Sequence, residues 1–225
     1  MKLPNIVCAL LPPLPGIALL DHRKDNHSKD DADSRTLDGG ARALLRSPER
    51  VWLLTGRPGV GKTTCLRRVL ERLASLPAGG FFTEEIREQD RRVGFALVTL
   101  SGERAILAHV QHRSGPHVGK YGVDVAALDR IGVPAIHDAV RRRALVVIDE
   151  IGRMEMTSAA FRLAVEAALA SGVPVLGTIL RPSHPWAETI KRHDAVRLIE
   201  VTPANRHAVP GDLADLIARQ GAHGS

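Results

Sequence analysis

The chain has 225 residues, 44% of them hydrophobic, 25% charged and 3% aromatic, with a formal charge of +6. That length and apolar fraction exclude a wholly disordered protein and are enough for one large buried core. Two cysteines exclude a disulfide framework, and seven aromatic residues weigh against a single-stranded nucleic-acid binder, which stacks bases on aromatic faces.

Residues 1–48 read as an extension outside the domain. Leu3 to Leu20 carries no charge, but Pro4, Pro12, Pro13 and Pro15 break the helix that a bilayer crossing requires. A signal peptide with Lys2 ahead of a short apolar core, Ile6 to Leu11, is the rival reading. A poorly ordered extension, or a start codon placed too far upstream, is preferred. Asp21 to Asp38 is polar and aperiodic, a solvated linker. The domain is expected over residues 49–225, in a cytoplasmic protein without a membrane segment.

Val51 to Leu54 is a short apolar run ending near Gly56, the pattern of a buried strand. A helix begins at Lys62, with Leu66, Val69, Leu70 and Leu73 on one face, and stops at Pro77-Ala78-Gly79-Gly80. Phe81 to Thr83 reads as the next strand. Val93 to Leu100 and Arg104 to Ala108 read as a hairpin turning at Ser101-Gly102-Glu103. Val125 to Val140 is helical with an interruption near Gly132 and Pro134. Ala144 to Ile148 is a buried strand closed by Asp149-Glu150, and the next helix aligns Phe161, Val165 and Leu169. Val173 to Ile179 and Val196 to Val201 read as further buried strands. Thr202-Pro203 is an N-cap and first turn for a closing helix, with a second start at Asp212. Apolar strands alternating with amphipathic helices predict an α/β fold, a mostly parallel sheet covered on both faces, with an inserted β-hairpin.

Gly56-Arg57-Pro58-Gly59-Val60-Gly61-Lys62-Thr63 matches G-x-x-x-x-G-K-[ST] between a predicted strand and a predicted helix. Glycines let the backbone curl its N–H groups toward phosphate oxygens, and the helix N-terminus adds partial positive charge. Lys62 is expected to reach the β- and γ-phosphates, the Thr63 hydroxyl to ligate Mg²⁺, and Thr64 to contact the α-phosphate. Asp149 is expected at the same ion, directly or through its water, and Glu150 as the base that polarises the attacking water. The Asp-Glu pair, with no Asn-Lys-x-Asp guanine reader anywhere, argues for an ATPase-like member of the three-layer P-loop NTPase fold rather than a signalling GTPase.

Six segments appear in order: GRPGVGKTT (Gly56–Thr64), GFFTEEIRE (Gly80–Glu88), RVGFALVTL (Arg92–Leu100), VGKYGVDV (Val118–Val125), VVIDEIGRME (Val146–Glu155) and VTPANR (Val201–Arg206). Together they resemble the THEP-type nucleoside-triphosphatases, which include the cancer-related nucleoside-triphosphatase. The resemblance implies Mg²⁺-dependent hydrolysis of ATP, GTP, CTP or UTP to diphosphate and phosphate, with loose base preference. It also implies two nucleotide-binding segments. One is the phosphate loop, Gly56 to Thr63. The other runs through Val146, Val147, Ile148, Asp149, Glu150, Ile151, Gly152 and Arg153. Family members usually start a few residues before the first strand, so residues 1–48 depart from the pattern.

Weaker candidates stand beside these. Arg153, Lys120 and Arg206 are candidate fingers, each more readily read as a surface or interface charge, and Arg141 to Arg143 reads as a solvated helix end, with RNA binding as its alternative. Thr178, ending a strand beside the site, either senses the γ-phosphate or satisfies the strand end. Glu84 and Glu85 are candidates for holding outer-shell water. His109, His112 and His117 read as members of a mobile loop rather than metal ligands. Cys65 reads as packing on the sheet. The rival functions are a kinase passing the γ-phosphate to a nucleotide, small molecule or RNA end, and a nucleotide-switched module on RNA or DNA.

Overall fold

The computed structural model describes residues 49–221, so the extension read at residues 1–48 lies outside the described residues, as do 222–225. The strands are β1 (Val51–Thr55), β2 (Ala78–Glu88), β3 (Arg91–Thr99), β4 (Arg104–His109), β5 (His117–Val118), β6 (Tyr121–Val123), β7 (Leu145–Ile151), β8 (Val175–Ile179) and β9 (Val196–Glu200). They form one sheet in the order β5-β6-β4-β3-β2-β7-β8-β1-β9. Pairing is parallel from β2 through β9 and antiparallel from β2 out to β5.

Helices cover both faces, as the alternation of strand side chains requires. In β1, Val51 and Leu53 face one layer while Trp52 and Leu54 face the other. The first layer holds α2 (Val125–Ala127), α3 (Val133–Arg141), α4 (Ala159–Ala170) and α5 (Pro185–Lys191), burying Ile136, Phe161, Val165 and Ile190 against Val146 and Ile148. The second holds α1 (Lys62–Arg72) and α6 (Val209–Gly221), burying Leu66, Val69, Leu213 and Ile217 against Leu145 and Val147.

Several expectations are corrected. Ala78-Gly79-Gly80 does not stop a helix; it opens β2, which runs on to Glu88. A Cβ at Gly80 would lie 2.0 Å from the Val147 carbonyl oxygen, so the glycine marks a close backbone approach and not a turn. The helical run is not broken at Gly132. It passes through a π-turn, Leu128–Gly132, in which the Val133 N–H bonds the Leu128 carbonyl, and Pro134, which has no N–H, follows directly in α3. The His109–His117 loop leads into the β5–β6 hairpin, too short for a periodic signal. β9 is not buried: it is the sheet edge, with Arg197, Leu198 and Glu200 exposed. Thr202 caps only a turn, accepting from the Asn205 N–H at 3.3 Å while Asn205 Oδ1 accepts from the Thr202 N–H at 2.8 Å. The closing helix starts at Val209 and includes Asp212.

Candidate active site

The phosphate loop links the end of β1 to α1 at the C-terminal edge of the parallel strands. Gly56, Gly59 and Gly61 take φ of 147°, 73° and 107°, a region costly for other residues. Gly61 is the N-cap of α1, and the helix geometry leaves the first amides without intrahelical acceptors, free to meet an anion. Arg57, Pro58, Gly59 and Thr64 are exposed, while Val60, Gly61, Lys62 and Thr63 are half-buried.

β7 delivers the acidic pair to the same edge. Val146, Val147 and Ile148 are fully buried and carry no side-chain polar group, so they anchor the strand in the core while Asp149 and Glu150 reach its end. The Asp149–Glu150 peptide is cis. Lys62 Nζ lies 3.5 Å from Glu150 Oε1, which joins the two predicted motifs directly. Strand β8 sits between β1 and β7, and from it Thr178 Oγ1 donates to Asp149 Oδ1 at 2.6 Å. Thr178 is fully buried and its hydroxyl is committed to Asp149, so it orients the aspartate. Asp149 is 1% exposed, and its Oδ2 has no hydrogen-bond partner.

Burial pushes the Asp149 carboxyl above its usual range, against the pull of the Thr178 and Thr63 hydroxyls and of Lys62. Burial also raises Glu150, with Lys62 pulling it down and Asp149 adding to the rise. An orphaned, buried carboxylate oxygen close to a threonine hydroxyl is an oxygen donor set that suits a hard divalent cation such as Mg²⁺. Thr63 and Asp149 fit that role.

A cavity of about 770 Å³ spans the site. Gly56, Pro58, Gly59, Lys62 and Thr63 line one side, and Glu150, Gly152, Arg153, Met154 and Glu155 the floor. Thr83, Glu84, Glu85, Arg92 and Phe95 form the far wall. Glu84 and Glu85 lie there as ion-pair centres: Glu84 binds Arg67 at 2.9 Å and Arg104 at 2.7 Å. Glu85 binds Arg92 at 2.7 Å and Arg87 at 2.8 Å. Arg92 also stacks on Phe95, 5.1 Å from its centroid.

Of the candidate fingers, Arg153 is exposed at the cavity. Lys120 instead lies 5.3 Å from the Tyr121 ring centroid, and Arg206 is exposed with its carbonyl oxygen accepting from Cys65 Sγ at 3.3 Å. Cys65 is buried against the apolar layer holding α1 and α6, and burial raises its thiol pKa. Arg141 and Arg142 bind Asp138 at a solvated helix end. His109, His112 and His117 make local bonds with the Gln111 amide, Ser114 and the Gly115 carbonyl. Arg67, Arg92 and Glu155 are cavity residues to which the sequence reading gave no role, although Arg92 and Glu155 lie within the segments Arg92–Leu100 and Val146–Glu155. Glu155 alone had a signal, a lone carboxylate between Met154 and Met156.

A phosphate loop opening α1, with an Asp-Glu pair one strand beyond its neighbour, defines a P-loop NTPase of three-layer α/β architecture. The chain belongs to the family described as NTPase, which matches residues 51–214. It is 45% identical over 157 residues to nucleoside-triphosphatase THEP1 of Thermotoga petrophila, covering 70% of this chain and 87% of that one. With THEP1 of Thermofilum pendens it shares 46% over 172 residues, covering 74% and 94%. Among solved structures, THEP1 from Aquifex aeolicus superposes with a TM-score of 0.68 at 37% identity, covering 74% of this chain and 99% of that one. A human cancer-related nucleoside triphosphatase gives 0.65 at 37% identity, covering 75% and 97%. No helix among the described residues is long and apolar enough to cross a membrane.

Proposed function

We propose that the chain hydrolyses nucleoside triphosphates to diphosphates and inorganic phosphate, with Mg²⁺ and with weak base selectivity. The observation that carries this reading is the Lys62–Glu150 pair at 3.5 Å, which puts a phosphate-binding cation and a carboxylate base at one point. The names of the relatives point the same way.

Phosphoryl transfer asks the protein for position and charge more than for covalent chemistry. The loop amides and Lys62 hold the β- and γ-phosphates. An arriving γ-phosphate competes with Glu150 for Lys62 and draws the ammonium away. The freed Glu150 carboxylate, made more basic by burial, accepts a proton from the water that attacks phosphorus. Thr63 and Asp149 would hold the Mg²⁺, whose charge offsets that of the phosphates when it is bound. Phe95 is the one aromatic residue lining the cavity, so the base has little to stack on and the phosphates dominate binding.

Phosphate release from ATP, GTP, CTP and UTP, measured without any acceptor and with Mg²⁺ or EDTA, tests the reading. Glu150→Gln should bind ATP while losing about 10²–10⁴-fold in turnover, the usual range for a general base. Diphosphate that forms only when an acceptor is added, with the phosphoryl group on the acceptor and no inorganic phosphate released, would make the protein a kinase. A preference for one base above about a thousandfold would remove the selectivity claim.

A further inference from the structure

We infer that Glu155 is the positioning residue for Glu150: its carboxyl group shares the space over Gly152 with the Glu150 carboxylate and fixes how that carboxylate faces the attacking water. This rests on the reading of Glu150 as the base.

The geometry begins with Gly152. A Cβ built there would lie 2.8 Å from Glu155 Oε2 and 3.3 Å from Glu150 Oε2. Both carboxyl groups therefore converge on the hydrogen-bearing face of one glycine, and any side chain there would displace them. Glu155 reaches this point because the chain folds back after β7 into a tight turn. The Met156 N–H donates to the Gly152 carbonyl at 3.1 Å, Thr157 Oγ1 to the Met154 carbonyl at 2.6 Å, and the Ser158 N–H to the Glu155 carbonyl at 3.0 Å. Ser158 then caps α4, accepting from the Phe161 N–H at 2.9 Å. The turn is thus bonded at both ends, and the carboxyl group it carries has little freedom.

Glu155 is 5% exposed, and among the described residues it forms no ion pair. Burying a carboxyl group without a cation opposes folding, so the packing alone gives no reason for it. Burial, reinforced by Glu150 and Asp149 on β7, raises its pKa to about 8, against the pull of its own amide and that of Gly152. Helix α4 packs on the same turn; its Arg162 is half-buried and its Glu166 is exposed, accepting from Trp186 Nε1 at 2.6 Å, while Asp129 accepts from the Ser158 hydroxyl at the end of the turn. With its pKa at about 8, Glu155 favours its neutral form beside Glu150, which lets two carboxyl groups share one site without repulsion. A neutral carboxyl group packed over Gly152 beside Glu150 restricts where the Glu150 carboxyl group can lie and takes no proton from water itself.

Full-length Glu155→Leu, Glu155→Gln, Gly152→Ala, Glu150→Gln and the Glu150→Gln/Glu155→Leu double variant test this, with two readouts: kcat for phosphate release from saturating MgATP and Kd for ADP. Glu155→Leu is expected to lose about 10- to 100-fold in kcat, the scale of a misplaced catalytic group, with Kd within about threefold. The amide of Glu155→Gln still donates, so it should restore most of that loss. Gly152→Ala should reproduce the loss and decides the matter if the leucine variant does not fold. In the Glu150→Gln background, Glu155→Leu should cost almost nothing more. Parental kcat in Glu155→Leu or Gly152→Ala overturns the inference, as does an additive loss in the double variant or a Kd that weakens in step with kcat. If those variants match the parent while Glu150→Gln is slow, the inference alone falls. If Glu150→Gln turns over like the parent, the base reading falls and takes the inference with it.

Discussion

Thr178 Oγ1 donates to Asp149 Oδ1 at 2.6 Å; both residues are buried, Thr178 on β8 and Asp149 on the neighbouring β7, beside Glu150. The bond leaves Asp149 Oδ2 as the one free oxygen, aimed by its neighbour. Thr178→Val keeps the branched shape and removes the donor. It should cost about 1–3 kcal/mol for the unsatisfied buried oxygen, read as a lower urea midpoint. It should also raise the Mg²⁺ concentration needed for half-maximal phosphate release, because losing the hydroxyl lets the Asp149 pKa rise further. Thr178→Ser should restore the metal requirement.

Lys62 is the cation that phosphate and Glu150 compete for. Lys62→Ala should reduce phosphate release to background and weaken ATP binding together, since the same ammonium serves ground and transition states. Isothermal titration with ATP, set beside the rate, would show whether both fall. Binding that stays intact would place the main phosphate contact elsewhere in the loop.

The Glu155 carboxyl makes stability depend on pH with a definite sign. Its folded pKa, about 8, lies above the carboxylate range of an unfolded chain, so folding takes up a proton. Its contribution is full below the unfolded pKa and is lost as pH rises toward 8. Glu155→Gln lacks this ionisation. Its unfolding free energy, read by melting at each pH, should match the parent near pH 4 and exceed it increasingly between about pH 5 and 8, by up to about 1.4 kcal/mol per pH unit. Parallel melting curves across that range would show the group already ionised in the fold.

The Glu84 and Glu85 clusters should matter little to stability. Their side chains are 34% and 39% exposed, so water screens each pair. Glu84→Gln and Glu85→Gln should each cost less than about 1 kcal/mol, a shift of about 2–4 °C at most by calorimetry. A larger loss would mean that the Arg67–Glu84–Arg104 bridge locks the hairpin to α1.

Gly80→Ala should be the most damaging small change. The new methyl would meet the Val147 carbonyl at 2.0 Å, where φ is already 116°. Backbone cannot yield as a flexible side chain does, so β2 must part from β7. The loss should exceed about 3 kcal/mol, seen as a chain that collects in the insoluble fraction.

Much of this site was legible because its parts are local. The loop is defined by glycine spacing before Lys62, and Asp149-Glu150 stands out against the apolar run Leu145–Ile148. The alternating pattern likewise gave β1, α1 and α4. What was not legible depends on partners distant in sequence. Arg67 meets Glu84 across 17 residues and Glu84 meets Arg104 across 20, so neither pair follows from a spacing rule. That β9 is an edge is decided by strand order, which hydropathy does not encode: Val196–Glu200 reads apolar enough to be buried. Glu155 was hidden for the opposite reason, because a glutamate next to a turn is read as solvated until its turn is seen folded under the strand.

Strand β2 obeys two pairing rules along its length, parallel to β7 over Ala78–Phe82 and antiparallel to β3 over Phe81–Glu88. The cavity uses only its inner stretch, Thr83 to Glu85, with Arg92 and Phe95 from β3. The bend at Gln89 and Asp90, both at positive φ, lies outside that stretch. This part of the molecule is therefore a handle. Residues added symmetrically at its tip would lengthen both arms outward without changing which side chains look into the cavity. A fluorophore, an affinity tag or a whole folded module could be grafted at Gln89–Asp90 of the working enzyme.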